Sequence, residues 1–197
     1  NANWHKIFVF QLLEANEIDY DQILIVDADT IVNPNAPDIF DISERKFCAV
    51  NNYGSMDWVW RSIETYKIFF FKDIHIRISE YFNSGVMVVN RGHKLLFDKI
   101  IKFYTEHSEQ LVHVQNKEHA GTDQPVINYF VKKENVDFKM LPYEWNAQDL
   151  TKFEVVLHQT GQLVEHHMNL FHILHFNCLA MDKKEHFMKS IYKYWWL

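Results

Sequence analysis

Two carboxylates one residue apart follow an apolar run near the start of the chain. Ile23 to Val26 are aliphatic, and Asp27 and Asp29 come directly after them. A continuous aliphatic run is typical of a buried strand, and α/β proteins bind ligands at the carboxyl ends of such strands. Asp27 and Asp29 could therefore converge on one hard divalent cation, which takes oxygen ligands. Alternatively, the two side chains only cap the next turn, a position that Asp favours.

Other groups with chemical potential stand beside apolar runs further along the chain. Asn83, Ser84 and Gly85 lead into the apolar residues 86–89, and glycine is scarce, with 5 in 197 residues. A glycine at a strand entry suggests a tight bend or a close approach of the backbone to a ligand. His175 lies in a short apolar run, where an imidazole is either a ligand or a hydrogen-bonded member of the core.

Asp123 and Gln124 open a predicted helix. Gly121 and Thr122 precede them, and Pro125 follows at a position that suits the first helical turn. Thr122 or Asp123 would be a good N-cap. Capping alone would explain Asp123, so its role stays open at this point.

The elements that position these groups alternate between strands and helices. Apolar runs predict buried strands over residues 22–26, 46–50, 81–90, 136–141 and 173–176. Helical patterns cover residues 93–106, the segment that begins at Asp123, and residues 182–196. These elements predict one α/β domain over residues 1–197, with a mixed, mostly parallel sheet flanked by helices. Residues 22–26 are expected to form a central buried strand of that sheet.

Two segments give less regular signals. The first predicted helix carries one apolar stripe, made up of Trp4, Ile7, Phe8, Leu12 and Ala15. Lys6 stands beside this stripe, where it is either solvated or able to reach an anion. Residues 51–79 are rich in aromatic side chains but show no steady period, which predicts a long irregular segment of the kind that often binds ligands.

Composition excludes several classes of function. The chain is 48% hydrophobic and 16% aromatic, so it is not disordered. Its net charge of -6 leaves no basic footprint for nucleic acid or an anionic membrane. No stretch has the ~18 uninterrupted apolar residues of a membrane span. Cys48 and Cys178 stand far apart and outside any metal-binding spacing, so two free thiols are expected, together with a cytoplasmic location.

Five short motifs follow one another along nearly the whole chain. They are Asp27-Ala28-Asp29, Phe82-Asn83-Ser84-Gly85-Val86, Asp123-Gln124, Leu141-Pro142 with Trp145-Asn146, and His175-Phe176. In this set and order the chain resembles glycosyltransferase family 8, which includes glycogenin and the bacterial galactosyl- and glucosyltransferases of lipopolysaccharide synthesis. One D-x-D motif alone is weak evidence, whereas five ordered motifs are specific. The resemblance implies a nucleotide-diphospho-sugar transferase domain of the GT-A type.

The resemblance also implies roles for individual residues. Asp27, Asp29 and His175 would bind a divalent metal, for which this mixed oxygen and nitrogen set suits Mn²⁺ better than Ca²⁺, with Mg²⁺ as a second choice. The remaining donor-binding positions would be Lys6, Ala28, Asn83, Ser84 and Gly85. Asp123 and Gln124 would lie at the reacting sugar. The expected reaction moves a hexose from a UDP-sugar, UDP-glucose or UDP-galactose, to a glycan or protein acceptor with retained anomeric configuration.

Two departures from the family pattern affect this interpretation. The family ends on H-F-x-G-x-x-K-P-W, whose lysine helps to hold the diphosphate, but here Met181 stands where that lysine is expected. Lys183 or Lys184 could substitute from a longer loop. The nucleotide-binding strand that normally precedes the helix at Lys6 is also missing from the sequence, so the chain is expected to be a fragment.

These departures keep two other classes of function open. The chain could be a degenerate module that binds a nucleotide sugar without turnover. It could also be another metal-dependent enzyme that acts on phosphate esters through the same acid pair. The sequence indicates neither the donor sugar nor the oligomeric state.

Overall fold

A four-stranded mixed sheet lies at the centre of the computed structural model, which describes residues 2–148, 150, 170–177 and 179–197. A smaller two-stranded sheet lies beside it. In chain order the strands are β1 (Gln22–Val26), β2 (Thr30–Val32), β3 (Phe47–Asn51), β4 (Phe82–Asn90), β5 (Phe138–Leu141) and β6 (Ile173–His175). The larger sheet has the order β1-β4-β3-β5, and the smaller one pairs β2 with β6. The predicted α/β class with a mixed sheet is confirmed.

The directions of the strands differ from the prediction of a mostly parallel sheet. Strand β4 is antiparallel to both β1 and β3, and within the described part of the sheet only β3 and β5 run parallel. The apolar runs suggested parallel strands. A strand that is covered on both faces is apolar whether its neighbours run parallel or antiparallel to it, so the runs do not determine the direction. Strand β4 illustrates this, since its first eight residues are buried although both of its neighbours are antiparallel.

Strand β1 is not central, which corrects the second expectation for this segment. Among the described strands it pairs with β4 only, so one of its edges is open. Ile25 is buried, but Val26 at the end of the strand is 40% exposed. The run is aliphatic because its two faces pack on different apolar clusters, Ile25 on the main core and Leu24 on a cluster behind the sheet. An apolar sequence indicates that both faces of a strand are covered. It does not indicate whether the strand lies in the middle or at the edge of the sheet.

Helices cover the larger sheet and the smaller one. They are α1 (Val9–Ala15), α2 (Ile39–Ser43), α3 (Met56–Phe69), α4 (Lys94–Glu106), α5 (Ser108–Lys117), α6 (Asp123–Lys133) and α7 (Met181–Trp196). A 3₁₀ helix over Ala2–Phe8 leads into α1. The helices predicted at 93–106, from Asp123 and at 182–196 are confirmed. Helix α3 lies within residues 51–79, where the sequence predicted an irregular segment, and that prediction is wrong.

Two apolar clusters hold the site in place. The main cluster lies between the larger sheet and the helices α1, α4, α5 and α6, with Phe47, Met87 and Tyr129 fully buried in it. A smaller cluster under α7 packs Ile191 against Ile31 of β2 and Leu174 of β6. Cys48 is a buried free thiol, as expected, whereas Cys178 lies outside the described residues.

Candidate functional site

Asp27 and Asp29 lie in the turn that joins β1 of the larger sheet to β2 of the smaller one. The Asp27 N–H donates to the Gly85 carbonyl, and the N–H and hydroxyl of Thr30 donate to the Asp27 carbonyl at 3.1 and 2.8 Å. On the β6 side, the Phe176 N–H donates to the Asp29 carbonyl. Backbone groups and Thr30 thus stabilise the turn, and the two carboxylates are directed at other charged groups. The capping alternative does not describe their contacts.

His175 joins the two carboxylates from strand β6. Its Nε2 lies 3.3 Å from Asp29 Oδ1 and 3.9 Å from Asp27 Oδ2. One ligand atom from each of the three residues can be chosen so that all lie within 4.8 Å of one another, and no other such group occurs in the described part of the chain. Two ligands that share one ion at bonds of about 2.0–2.6 Å lie within about 5 Å of each other. The geometry and the donor types therefore fit a divalent cation such as Mn²⁺ or Mg²⁺.

The His175 ring is held from behind by β4 and by a buried amide. Its Nδ1 lies 3.1 Å from Asn146 Oδ1, and the imidazole is almost completely buried. Gly85 packs directly on the ring, because a Cβ built there would lie 2.2 Å from His175 Cε1. The role of Gly85 at the strand entry is thus a close approach to a side chain, where the sequence suggested a close approach to a ligand.

Lys6 is buried, so it is not the solvated residue that one interpretation of the sequence allowed. Its Nζ lies 2.5 Å from Asp27 Oδ1 and 3.2 Å from Asp123 Oδ2, and it donates to the Ser84 carbonyl at 3.1 Å. Burial lowers the pKa of Lys6, but the charges of Asp123 and Asp27 outweigh burial and raise the pKa above its ordinary value. Lys6 is therefore a fixed positive charge between the β1–β2 turn and the start of α6.

Asp123 and Gln124 face β4 from the first turn of α6 and are both buried. The hydroxyls of Ser84 and Thr122 donate to the Asp123 carboxylate at 2.9 and 2.8 Å. Gln124 Oε1 accepts from the Ser84 N–H at 3.2 Å. Asp123 is the first residue of the helix, and Thr122 makes no side-chain capping bond. Their placement is therefore explained by contacts with β4 rather than by capping.

Asn83 belongs to a chain of buried amides beside these residues. Its Oδ1 accepts from the Gly85 N–H at 2.8 Å and from Asn146 Nδ2 at 3.0 Å. Gln124 Nε2 donates to Asn52 Oδ1 at 3.1 Å. The sequence analysis did not single out Asn52, which has no motif of its own and lies one residue after the end of β3.

Lys184, one of the two lysines that the sequence offered as a substitute for the family lysine, lies at the site. It lies in the first turns of α7, and its Nζ is 2.6 Å from Asp29 Oδ2. Burial of Asp29 raises its pKa, but hydrogen bonds from His175 and Lys184 outweigh burial and hold the pKa of Asp29 well below its ordinary value. Lys183, the other candidate of the sequence analysis, is exposed on the same helix.

The predicted site residues other than Lys6 and Gly85 line one cavity of about 920 Å³, together with Asn52 and Lys184. Asp27, Ala28, Asp29 and His175 line one side, Asn83, Ser84, Asp123 and Gln124 line another, and Lys184 reaches in from α7. The size of the cavity is at the upper end of the range for small-molecule sites. The predicted site residues are thus brought together, with Lys6 and Gly85 supporting them.

Comparisons with known proteins give the family and the fold of the chain. The family model described as glycosyl transferase family 8 matches residues 1–181. A glycosyltransferase involved in the glycosylation of the major capsid of PBCV-1 has a TM-score of 0.54 at 12% identity, over 93% of this chain and 73% of that one. An active-site mutant of LgtC has a TM-score of 0.52 at 14% identity, over 94% of this chain and 66% of that one. These two structures share the GT-A fold with the chain.

A third solved structure is less similar in shape. Mouse xyloside xylosyltransferase 1 has a TM-score of 0.49 at 17% identity, over 88% of this chain and 62% of that one. The chain therefore spans between 62% and 73% of the length of these three proteins. No curated protein sequence matches the chain. Among the described residues, no helix has the length and apolarity that crossing a membrane requires.

Proposed function

This chain belongs to glycosyltransferase family 8, and from that premise we propose that it transfers a hexose from a UDP-sugar to a glycan or protein acceptor with the help of a divalent metal. One observation carries the proposal. Asp27, Asp29 and His175 form a metal-binding geometry in the wall of a cavity that also presents Asn83 and the start of α6. A nucleotide sugar needs such a combination of a cation site for its diphosphate and polar groups for its sugar.

The roles that we propose for the metal and its ligands follow from the charge that develops during the reaction. The diphosphate becomes more negative as the anomeric bond breaks, and a divalent cation would supply Lewis-acid stabilisation of that charge. Asp27, Asp29 and His175 would hold the ion, with Mn²⁺ preferred and Mg²⁺ as the second choice. Lys6, which bridges Asp27 and Asp123, fixes the metal turn relative to the helix that carries the sugar-facing residues.

The sugar would lie between β4 and the start of α6. Asn83 and Ser84 supply amide and hydroxyl groups there, Ala28 lines the same cavity, and Gly85 packs on the His175 ring. Asp123 and Gln124 would orient the hexose at the reacting carbon. Positioned groups of this kind act by holding donor and acceptor in a reactive geometry, which lowers the entropic part of the barrier.

Titration calorimetry with UDP, UDP-glucose and UDP-galactose tests the proposal, with and without Mn²⁺. We expect nucleotide binding that depends on Mn²⁺, and slow release of free hexose from one of the sugar nucleotides. The Asp29→Ala variant should lose the metal dependence, whereas Lys183→Ala on the exposed side of α7 should not. Binding without any sugar release would support the degenerate module, and hydrolysis of simple phosphate esters would support the third class of function.

A further inference from the structure

Each of the two acidic residues at the metal site uses one oxygen for the site and the other for a lysine. The Oδ2 of Asp27 and the Oδ1 of Asp29 face His175, while the Oδ1 of Asp27 contacts Lys6 and the Oδ2 of Asp29 contacts Lys184. Together with Asp123, these side chains form a cluster of three carboxylates and two ammonium groups. A dication that binds there meets a nearly neutralised acid cluster.

The two lysines differ in how firmly they are held. The Lys6 side chain is 8% exposed, and its ammonium contacts Asp27, Asp123 and the Ser84 carbonyl. The Lys184 side chain is 18% exposed, and Asp29 is its ammonium's one partner among the described residues. Lys184 lines the cavity, whereas Lys6 lies behind its wall. Lys184 can therefore leave Asp29 at the cost of one contact, and Lys6 cannot.

Helix stability does not explain why a lysine lies at this position. Lys184 is the fourth residue of α7, near the positive end of the helix dipole, where a cation is unfavourable. Its side chain instead turns to the metal turn, which is 155 residues away in sequence. Lys184 is unfavourable for its own helix but forms an ion pair with Asp29, which indicates a role at the site.

We propose that Lys184 is an exchangeable counter-ion, which pairs with Asp29 in the free protein and moves to the diphosphate of the donor when a divalent metal binds at Asp29. The inference rests on the proposed function, since it needs a diphosphate next to the metal. A dication close to Asp29 repels the Lys184 ammonium, and the phosphate oxygens on the same ion offer it a new partner. The flexible four-carbon stem of lysine permits the move.

This exchange makes the binding of metal and the binding of nucleotide mutually dependent. Without nucleotide, Lys184 competes electrostatically with the metal and weakens its binding. With nucleotide, the same ammonium binds the diphosphate and strengthens the complex. Linkage requires that UDP then raises the affinity for the metal by the same factor by which the metal raises the affinity for UDP.

The test measures Mn²⁺ binding by electron paramagnetic resonance and UDP binding by calorimetry, each with and without the other ligand. The Lys184→Met variant should bind Mn²⁺ alone more tightly than the wild type and should bind UDP in the presence of Mn²⁺ more weakly. The factor that couples the two ligands should fall by about fivefold or more, the lower end of usual coupling energies. Lys184→Arg, which keeps the charge, should keep most of the coupling.

Lys183→Met is the matched control, because it removes the same charge from the neighbouring, exposed position of α7. If Lys183→Met and Lys184→Met leave both affinities equal to those of the wild type, the inference is wrong and Lys184 only ties α7 to Asp29. If Lys184→Met weakens Mn²⁺ binding in the absence of nucleotide, the inference is also wrong. If the wild type binds no UDP at any Mn²⁺ concentration, the proposed function itself fails and the inference falls with it.

Discussion

Gly85 determines how closely a residue of the larger sheet can approach a residue of the smaller one. A Cβ at this position would lie 2.2 Å from His175 Cε1 and 2.8 Å from Asn83 Oδ1, which is far inside van der Waals contact. His175 is buried and has no room to retreat, so the ring or the strand would have to shift.

We therefore expect Gly85→Ala to weaken Mn²⁺ binding by about tenfold or more, in line with the effect of disturbing the shell around a metal ligand. The variant should remain folded, with a small loss of stability. Equilibrium dialysis against Mn²⁺ measures the effect, and Gly92→Ala in an exposed turn is the control. An affinity equal to that of the wild type would contradict the role of Gly85 in placing the His175 ring.

Three neighbouring side chains hold the Asp123 carboxylate, an arrangement that suits the proposed positioning role better than that of a nucleophile. Lys6, Ser84 and Thr122 all contact its carboxylate, and such contacts stabilise the charge and lower its reactivity. We favour attack on the same face as the departing diphosphate, with Asp123 and Gln124 orienting the sugar. This mechanism is part of the proposed function.

Asp123→Asn should accordingly leave weak but measurable transfer with retained anomeric configuration. The residual activity follows because the amide preserves the shape of the group, while the activity is weak because the amide loses the charge and one of the two acceptor oxygens. Nuclear magnetic resonance of the product gives the configuration, and addition of azide provides the counter-test. A dead variant that azide revives with an inverted product would identify Asp123 as the nucleophile.

At the scale of single elements, the sequence predicted those strands and helices whose apolar period was regular. The first helix was predicted, but its buried side was not. Its expected stripe included Leu12, but Leu12 is exposed, and the buried residues are Trp4, Ile7 and Phe10 at a spacing of three. Residues 2–8 form a 3₁₀ helix, which has three residues per turn, so a pattern of 3.6 residues selects the wrong side.

Helix α3 was missed because its buried face is partly polar. Ser62 and Thr65 are buried together with Val59, Ile63 and Tyr66. Ser62 Oγ accepts a hydrogen bond from the Gly121 N–H, and the Tyr66 hydroxyl donates to the Gly121 carbonyl at 2.7 Å. These partners lie more than fifty residues away, so the local sequence could not show that the polar side chains are satisfied in the core.

The short 3₁₀ helix Ile78–Glu80 before β4 depends on an ion-pair network. Glu80 accepts from the guanidinium and the backbone N–H of Arg77 and from Lys132 of α6. Hydrogen bonds from Arg77 and Lys132 outweigh burial and lower the pKa of Glu80 from 4.5 to about 2. A lowered pKa in the folded state contributes stability above pH 4.5, and this contribution is lost as the pH falls towards 2.

We expect Glu80→Gln to reduce the free energy of unfolding by about 1 kcal/mol at pH 7, since the pairs are largely exposed. The difference from the wild type should shrink steadily between pH 4.5 and pH 2. Urea unfolding at several pH values measures it, with Glu118→Gln at an exposed site as the control. A difference that stays constant down to pH 3 would contradict the ion-pair explanation.

At the scale of the whole molecule, the candidate site lies between a large sheet and a small one. The larger sheet has four described strands and most of the core, whereas β2 and β6 are three residues each and rely on α7 for cover. The motif order predicted that Asp27, Asp29 and His175 meet. The contact of Lys184 could not be predicted, because it arises only when β6 pairs with β2 and brings α7 over the turn.

We expect amides of β2, β6 and α7 to exchange with solvent faster than those of β3 and β4, because a two-stranded sheet with a small core opens at lower cost. Mn²⁺ and UDP should slow this exchange by about tenfold at ligand concentrations ten times Kd, since ligands that need both sheets stabilise the docked state. Mass spectrometry of deuterium exchange measures the rates. The amides of α5 are the internal reference, and equal slowing there would contradict local bridging.

The amide chain behind His175 decides which ring nitrogen carries the proton. The Gly85 N–H obliges Asn83 to present its oxygen, Asn83 in turn accepts from the Asn146 NH₂ group, and Asn146 is left with its oxygen towards His175 Nδ1. An oxygen accepts, so Nδ1 must donate, and Nε2 is left to face the carboxylates, where it would bind a metal ion through its lone pair. Through two amide side chains, the Gly85 N–H of β4 thus determines that Nδ1 of His175 in β6 carries a proton. Nitrogen-15 shifts of the protein with Mg²⁺ bound report the proton on Nδ1 directly.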